Sequence, residues 1–186
     1  MNSTVILKGN ILYTPRPSEF ISIQHGYIIA VDGIVVYCGE SIPPAYADCE
    51  VTDYGDNLII PGFVDTHAHA PQYCNRGLGM DKELLPWLET YTFPEEAKFS
   101  DLDYARLVYG AFVQDLWRNG TTRSILFGTI HKESTLVLME LLQKAGLSAY
   151  VGKVNMDRNS PDFLIEETSQ SLADTKDWLE ASASFG

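Results

Sequence analysis

The sequence has 186 residues, enough for one sizeable core or one core with a small satellite domain. Apolar residues make up 45% and charged residues 20%, which excludes disorder as a description of the whole chain. A formal net charge of -12 argues against a general phosphate-binding surface, and so against a nucleic-acid partner, but leaves a small neutral base open as a substrate.

Residues 1 to 60 are built from short β-branched runs: Val5-Ile-Leu7, Phe20-Ile-Ser-Ile23, Tyr27-Ile-Ile-Ala-Val31 and Ile34-Val-Val-Tyr37. Pro15, Pro17, Gly26 and the Asp32-Gly33 pair separate them, and Asp-Gly between two apolar runs is a strong hairpin signal. An antiparallel sheet in a small sandwich-like domain is expected over 1–60, with His25 as a turn residue. The longest apolar stretch, Tyr27 to Cys38, is interrupted by Asp32 and Gly33 and falls short of the ~20 residues a membrane span needs. The N-terminus lacks the basic segment and long apolar run of a signal peptide. Cys38, Cys49 and Cys74 are widely spaced with no Cys-x-x-Cys pair. Neither a disulfide framework nor a thiolate zinc site is suggested, and a reducing, cytoplasmic setting is expected.

From residue 61 strands alternate with helices. Asn57 to Asp65 reads as one buried strand, and Asp81 to Thr90 as a short helix with Leu84, Leu85 and Leu88 at helical spacing. Ser100 is a good N-cap for a longer helix reaching Arg118-Asn119, with Asp101 and Asp103 in the first turn and Gly120 as its stop. Strand Thr122 to Phe127, helix Glu133 to Ala145 ending at Gly146, strand Ala149 to Val154 and a helix from Ile165 toward Glu180 follow. The alternation predicts about three parallel βαβ units. An eight-stranded barrel takes about 250 residues, of which 61–186 would supply about half, so the N-terminal part of a longer protein is expected. Ala181-Ser-Ala-Ser-Phe-Gly186 falls inside a βα unit on this reading.

Chemistry concentrates in Pro61-Gly-Phe-Val-Asp-Thr-His-Ala-His-Ala-Pro-Gln-Tyr73. Strand side chains alternate faces, so Asp65, His67 and His69 are expected to point the same way, with small Thr66 and Ala68 between. Two imidazoles on one face at a strand end can reach one divalent ion, and Asp65 can orient an imidazole from behind. A single strand histidine is more often a satisfied core or surface residue; the apolar strand before the pair, and the strand's C-terminal end, raise the metal reading.

Pro61-Gly-Phe-Val-Asp-Thr-His-Ala-His69 resembles the opening motif of the amidohydrolase superfamily. His69-Ala-Pro-Gln72-Tyr73, Trp87-Leu-Glu-Thr-Tyr-Thr-Phe-Pro-Glu95, Asn119-Gly-Thr-Thr122, Thr129-Ile-His-Lys-Glu-Ser134 and Val151-Gly-Lys-Val-Asn-Met-Asp157 together resemble the branch of it that deaminates guanine. The resemblance implies an α/β chain: a small β domain, 1–60, and the first βα units, 61–186, of a metal-dependent (β/α)8 TIM-like barrel left incomplete here. It implies that His67 and His69 ligate one divalent ion, zinc with iron as the alternative, and that Gln72 contacts a small-molecule substrate, guanine. It further implies hydrolysis to xanthine and ammonia by metal-activated water, and a homodimer when full length. In such enzymes two more histidines, an aspartate, a proton-shuttling glutamate and a purine-contacting arginine come from later strands. The 186 residues alone are therefore expected to bind zinc weakly and to be inactive.

Other residues receive plainer readings. Glu95 and Glu96 read as a solvated helix start. Trp87, Tyr91 and Phe93 form either a wall over the pocket or ordinary core. His131 is taken as structural, and Cys74 has no ligand role. Without the resemblance, Gln72 would be a surface glutamine capping the next turn. The competing functions are another amidohydrolase, chlorohydrolase-like or adenosine-type, and a non-catalytic module. The cytidine-type zinc deaminases are disfavoured because His-x-Glu and Cys-x-x-Cys are missing.

Overall fold

A computed structural model describes residues 3–185. They fall into two compact units, divided between Pro61 and Gly62.

The first unit is a sheet of β1 (Thr4–Arg16), β2 (Glu19–Val31), β3 (Ile34–Gly39) and β4 (Val51–Ile59), in the order β3-β2-β1-β4. β1 and β3 run antiparallel to β2, but β4 runs parallel to β1, so the sheet is mixed rather than antiparallel. Asp32 and Gly33 both take positive φ, 51° and 81°, as the tight β2–β3 hairpin requires. Gly26 does not end a strand as the sequence suggested. The extra residue is absorbed in a bulge, where Gly9 pairs with Gly26 and Ile11 with Ile23, and two apolar runs become one strand. His25 sits in this bulge at φ 49°, and its N–H donates to Asn10 Oδ1 at 3.1 Å.

The second unit is a parallel sheet of β5 (Phe63–His69), β6 (Thr121–Phe127) and β7 (Ser148–Gly152) in chain order. Asn57 to Asp65 is thus two strands, not one: β4 stops at Ile59 and β5 starts at Phe63. Pro61 between them has no N–H for a ladder. After β5 come a 3-10 segment (Ala70–Asn75), α1 (Leu84–Trp87), a π-helical turn (Leu88–Thr92), α2 (Phe93–Ala97) and α3 (Leu102–Arg118). The π turn ends two residues before Pro94, which cannot donate to the carbonyl one α-turn back and whose ring would crowd it. α4 (Lys132–Lys144) links β6 to β7, and α5 (Thr168–Ser182) follows β7.

Asp101, not Ser100, caps α3: its carboxylate accepts the N–H groups of Asp103 (2.8 Å) and Tyr104 (3.3 Å). The Ser100 hydroxyl donates instead to the Ala97 carbonyl and closes the preceding turn. The helix stops are as read, with Gly120 and Gly146 at φ 74° and 71°.

α3 and α4 cover one face of the sheet. Tyr109, Phe112 and Val113 of α3 and Leu138 and Leu142 of α4 join Leu126 of β6 in one core. Each such large apolar side chain contributes about 1.5–3 kcal/mol by leaving water. On β6, Ser124 and Leu126 face the helices, while Ile125 and Phe127 face the other way and are exposed. Tyr150 of β7 is 74% exposed. The parallel strands are therefore apolar on both faces but covered on one. Among the described residues no helix is long and apolar enough to cross a membrane.

Candidate functional site

β5 ends in His67-Ala-His69, at the C-terminal edge of the parallel sheet, where the loops after the strands leave. In βα folds that edge carries the chemistry. The two imidazoles share a face: their centroids lie 5.2 Å apart, and both contact the Phe127 ring. Phe127 is the register partner of His69, and it stacks on that ring at 4.6 Å and 17°. Phe127 was missed by the sequence reading; its place at the end of the next strand was the available signal.

His67 is exposed and His69 half-buried. Burial, reinforced by the nearby His67, pushes the His69 pKa below its ordinary value and so favours the neutral imidazole, the form that ligates metals. Two nitrogens on one face, one of them held neutral and braced by an aromatic ring, fit a divalent ion. By themselves they would make only a partial site, since catalytic zinc sites use three protein ligands. Among the described residues no group of three His, Cys, Asp or Glu side chains converges on one point.

Asp65 departs from expectation. The register breaks between Asp65, paired with Ser124, and Ala68, paired with Leu126, so two residues of β5, Thr66 and His67, oppose one of β6, Ile125, and the alternation is interrupted. Asp65 accepts the backbone N–H of His67 at 3.0 Å. It therefore fixes the backbone that carries the first histidine; it is not bonded to either ring.

Gln72 lies in the 3-10 segment just beyond His69 and lines, with both histidines, Tyr73, Arg76 and Trp87, a cleft of about 360 Å³. Its amide Nε2 donates to Glu96 Oε1 at 3.2 Å. This finding overturns the reading of Glu95 and Glu96 as solvated. They are 6% and 4% exposed, because α2 packs against the 3-10 segment and Tyr104 of α3 reaches Glu95. Glu95 accepts from Lys98 (2.6 Å) and from the Tyr104 hydroxyl. Burial raises the pKa of Glu96, and the Gln72 amide opposes the rise.

The loop after Gln72 is clamped. Arg76 Nε donates to the Tyr73 carbonyl (2.9 Å), and its guanidinium lies 3.6 Å from the centre of the Tyr73 ring. The Tyr73 hydroxyl donates to Asp115 of α3, which also pairs with Arg76 at 3.4 Å. No sequence motif announced this clamp, which joins residues about 40 positions apart.

Trp87 lines the cleft and donates to the Leu78 carbonyl at 2.9 Å. Phe93 lies elsewhere, beside Pro161 and Phe163, so the aromatic run divides between wall and packing. Cys74 is exposed and unpaired. His131 follows β6; burial depresses its pKa, and its Nε2 is buried without a partner among the described residues. Its backbone N–H and carbonyl join Thr129 and Thr135 in the turn that starts α4. After β7, Lys153 is fully buried and pairs with Glu166 at 3.1 Å. The other Glu166 oxygen accepts the Met156 N–H at 2.6 Å, so the pair ties down the loop before α5.

Guanine deaminase of Dictyostelium discoideum is 52% identical over 130 residues, covering 70% of this chain and 29% of that protein. Guanine deaminase of Escherichia coli K12 is 39% identical over 175 residues, covering 89% of this chain and 39% of that one. The crystal structure of guanine deaminase from C. acetobutylicum, with guanine bound in its active site, superposes with a TM-score of 0.91 at 49% identity over 96% of this chain and 43% of that one. The chain thus spans well under half the length of these relatives. The pattern of the amidohydrolase family runs from residue 58 to residue 185, more than half of the sequence, and the chain belongs to that family.

Proposed function

We propose that this chain supplies the first metal ligands and part of the base-binding wall of an enzyme that hydrolyses guanine to xanthine and ammonia. The observation that carries the proposal is the sharing of one cleft by His67, His69 and Gln72 at the end of β5. The 52% and 49% identities to guanine deaminases, one with guanine bound, support the substrate.

In this reading His67 and His69 hold one divalent ion, zinc by preference for imidazole nitrogen, with iron as the alternative. The ion supplies the Lewis acidity that makes water nucleophilic near neutral pH. The chain's own residues do the rest of what this half of the site requires. Phe127 braces the His69 ring and excludes water from one side of it. Gln72 offers amide hydrogen-bonding groups to the edge of the base, which carries both donors and acceptors. The Tyr73–Arg76–Asp115 clamp keeps the Gln72 loop rigid, so that the base is held rather than merely admitted. The three unpaired cysteines are consistent with a reducing, cytoplasmic setting.

The test is steady-state assay of the full-length protein containing this segment, with guanine and with adenine derivatives and triazines as competitors. Xanthine formation with kcat/KM for guanine above the others by at least about 100-fold is expected, since a site built around specific hydrogen bonds rejects bases that lack them. Equal or faster turnover of a triazine or an adenine derivative would overturn the substrate assignment.

A further inference from the structure

Glu96 is an unusual carboxylate for a helix start. It is 4% exposed, yet its only side-chain hydrogen bond among the described residues is the one from Gln72 Nε2, and no cation pairs with it. Its neighbour Glu95 has Lys98 and Tyr104. A buried carboxylate without a cation is costly, and such costs concentrate where a site needs the group. Gln72, for its part, has an amide whose two ends are nearly the same shape, so its orientation is set only by its partners. An ionised carboxylate accepts and cannot donate. It therefore selects the NH2 end of Gln72 and leaves the carbonyl oxygen and the second N–H unclaimed by protein, in a residue that lines the histidine cleft.

We infer that Glu96 is a positioning residue: by accepting from Nε2 it holds the Gln72 amide in one orientation, so that Gln72 presents a carbonyl acceptor to a donor edge of the base. The inference rests on the reading of Gln72 as a base contact. Nothing in the sequence around Phe93-Pro-Glu-Glu96 points to it, because the link spans 24 positions and depends on α2 turning inward.

The test is a double-mutant cycle in the full-length metal-loaded enzyme, with steady-state kinetics on guanine in alkaline buffer and a melting temperature for each variant. Glu96→Gln keeps the shape but can donate as well as accept, so it no longer selects one amide orientation. Loss of one well-placed hydrogen bond predicts a KM increase of about five-fold with kcat changed less than about two-fold. On a Gln72→Ala background the same substitution has no further effect on KM. Glu96→Met, which keeps the volume and removes both oxygens, follows the same pattern and serves if Glu96→Gln folds poorly. Equal KM effects of Glu96→Gln on both backgrounds, an unchanged KM, or a fall in kcat alone would overturn the role of Glu96 while leaving Gln72 in place. A Gln72→Ala enzyme with normal KM would overturn the base contact and this inference with it.

Discussion

His69 is the side chain on which the metal reading depends most. Its ring is half-buried, lies beside His67 and stacks on Phe127; burial and the nearby imidazole lower its pKa and favour the neutral form. Replacing His67 or His69 with Ala is expected to leave the full-length protein folded but to reduce bound metal below one ion per chain by elemental analysis, with activity falling in proportion. Glu96 carries a different expectation. Its pKa is raised by burial, so the folded chain retains the proton across an interval above the ordinary Glu value where the unfolded chain has already lost it. Stability therefore falls as pH rises through that interval. Glu96→Gln removes this penalty: its melting temperature should exceed that of the parent at neutral pH, and the two should converge near pH ~4, at the ordinary carboxylate value. A gap of the same size at both pH values would show that the gain is not electrostatic. Gain in stability with a raised KM would be the ordinary trade-off of a site residue.

At the scale of elements, two local devices have measurable cost. Asp101→Ala should lower stability by about 1 kcal/mol through loss of the α3 cap, whereas Ser100→Ala should cost much less, a contrast readable in urea denaturation. Lys153→Ala strands Glu166 in the interior and should cost about 3–5 kcal/mol. These elements also show what could be read without coordinates. Gly120 and Gly146 announced helix stops because only a positive φ ends those helices cheaply, and Asp32-Gly33 announced its hairpin for the same backbone reason. That His67 and His69 share a face was legible because strand periodicity is local. Ser100 versus Asp101 was not, since both are good caps and the choice depends on which hydroxyl or carboxylate the previous turn already uses. The single long β2 was hidden because the bulge at Gln24-His25 lets the strand continue past the glycine that looked like a turn, which stays paired with Gly9. Asp65 was misplaced for a related reason: the β5 register break falls between it and the histidines. Burial of Glu95 and Glu96 was illegible, being a product of tertiary packing of α2 against the 3-10 segment after β5.

For the whole molecule, the decisive feature is the one-sided sheet. β5, β6 and β7 pack α3 and α4 on one face, and the opposite face carries His69, Ile125, Phe127 and Tyr150. The proposed metal ligands and exposed aromatic side chains occur together on a surface that a barrel interior would enclose. With two candidate nitrogen ligands and no third within reach among the described residues, the 186-residue chain by itself should bind zinc far more weakly than a three-ligand catalytic site does, by isothermal titration. The most direct test of the central claim is anomalous diffraction at the zinc edge from crystals of the full-length protein soaked with guanine. A single peak within bonding distance of both the His67 and His69 imidazoles, with the Gln72 amide on the base edge, is the predicted result. A metal peak that avoids this pair, or guanine bound away from Gln72, would contradict it.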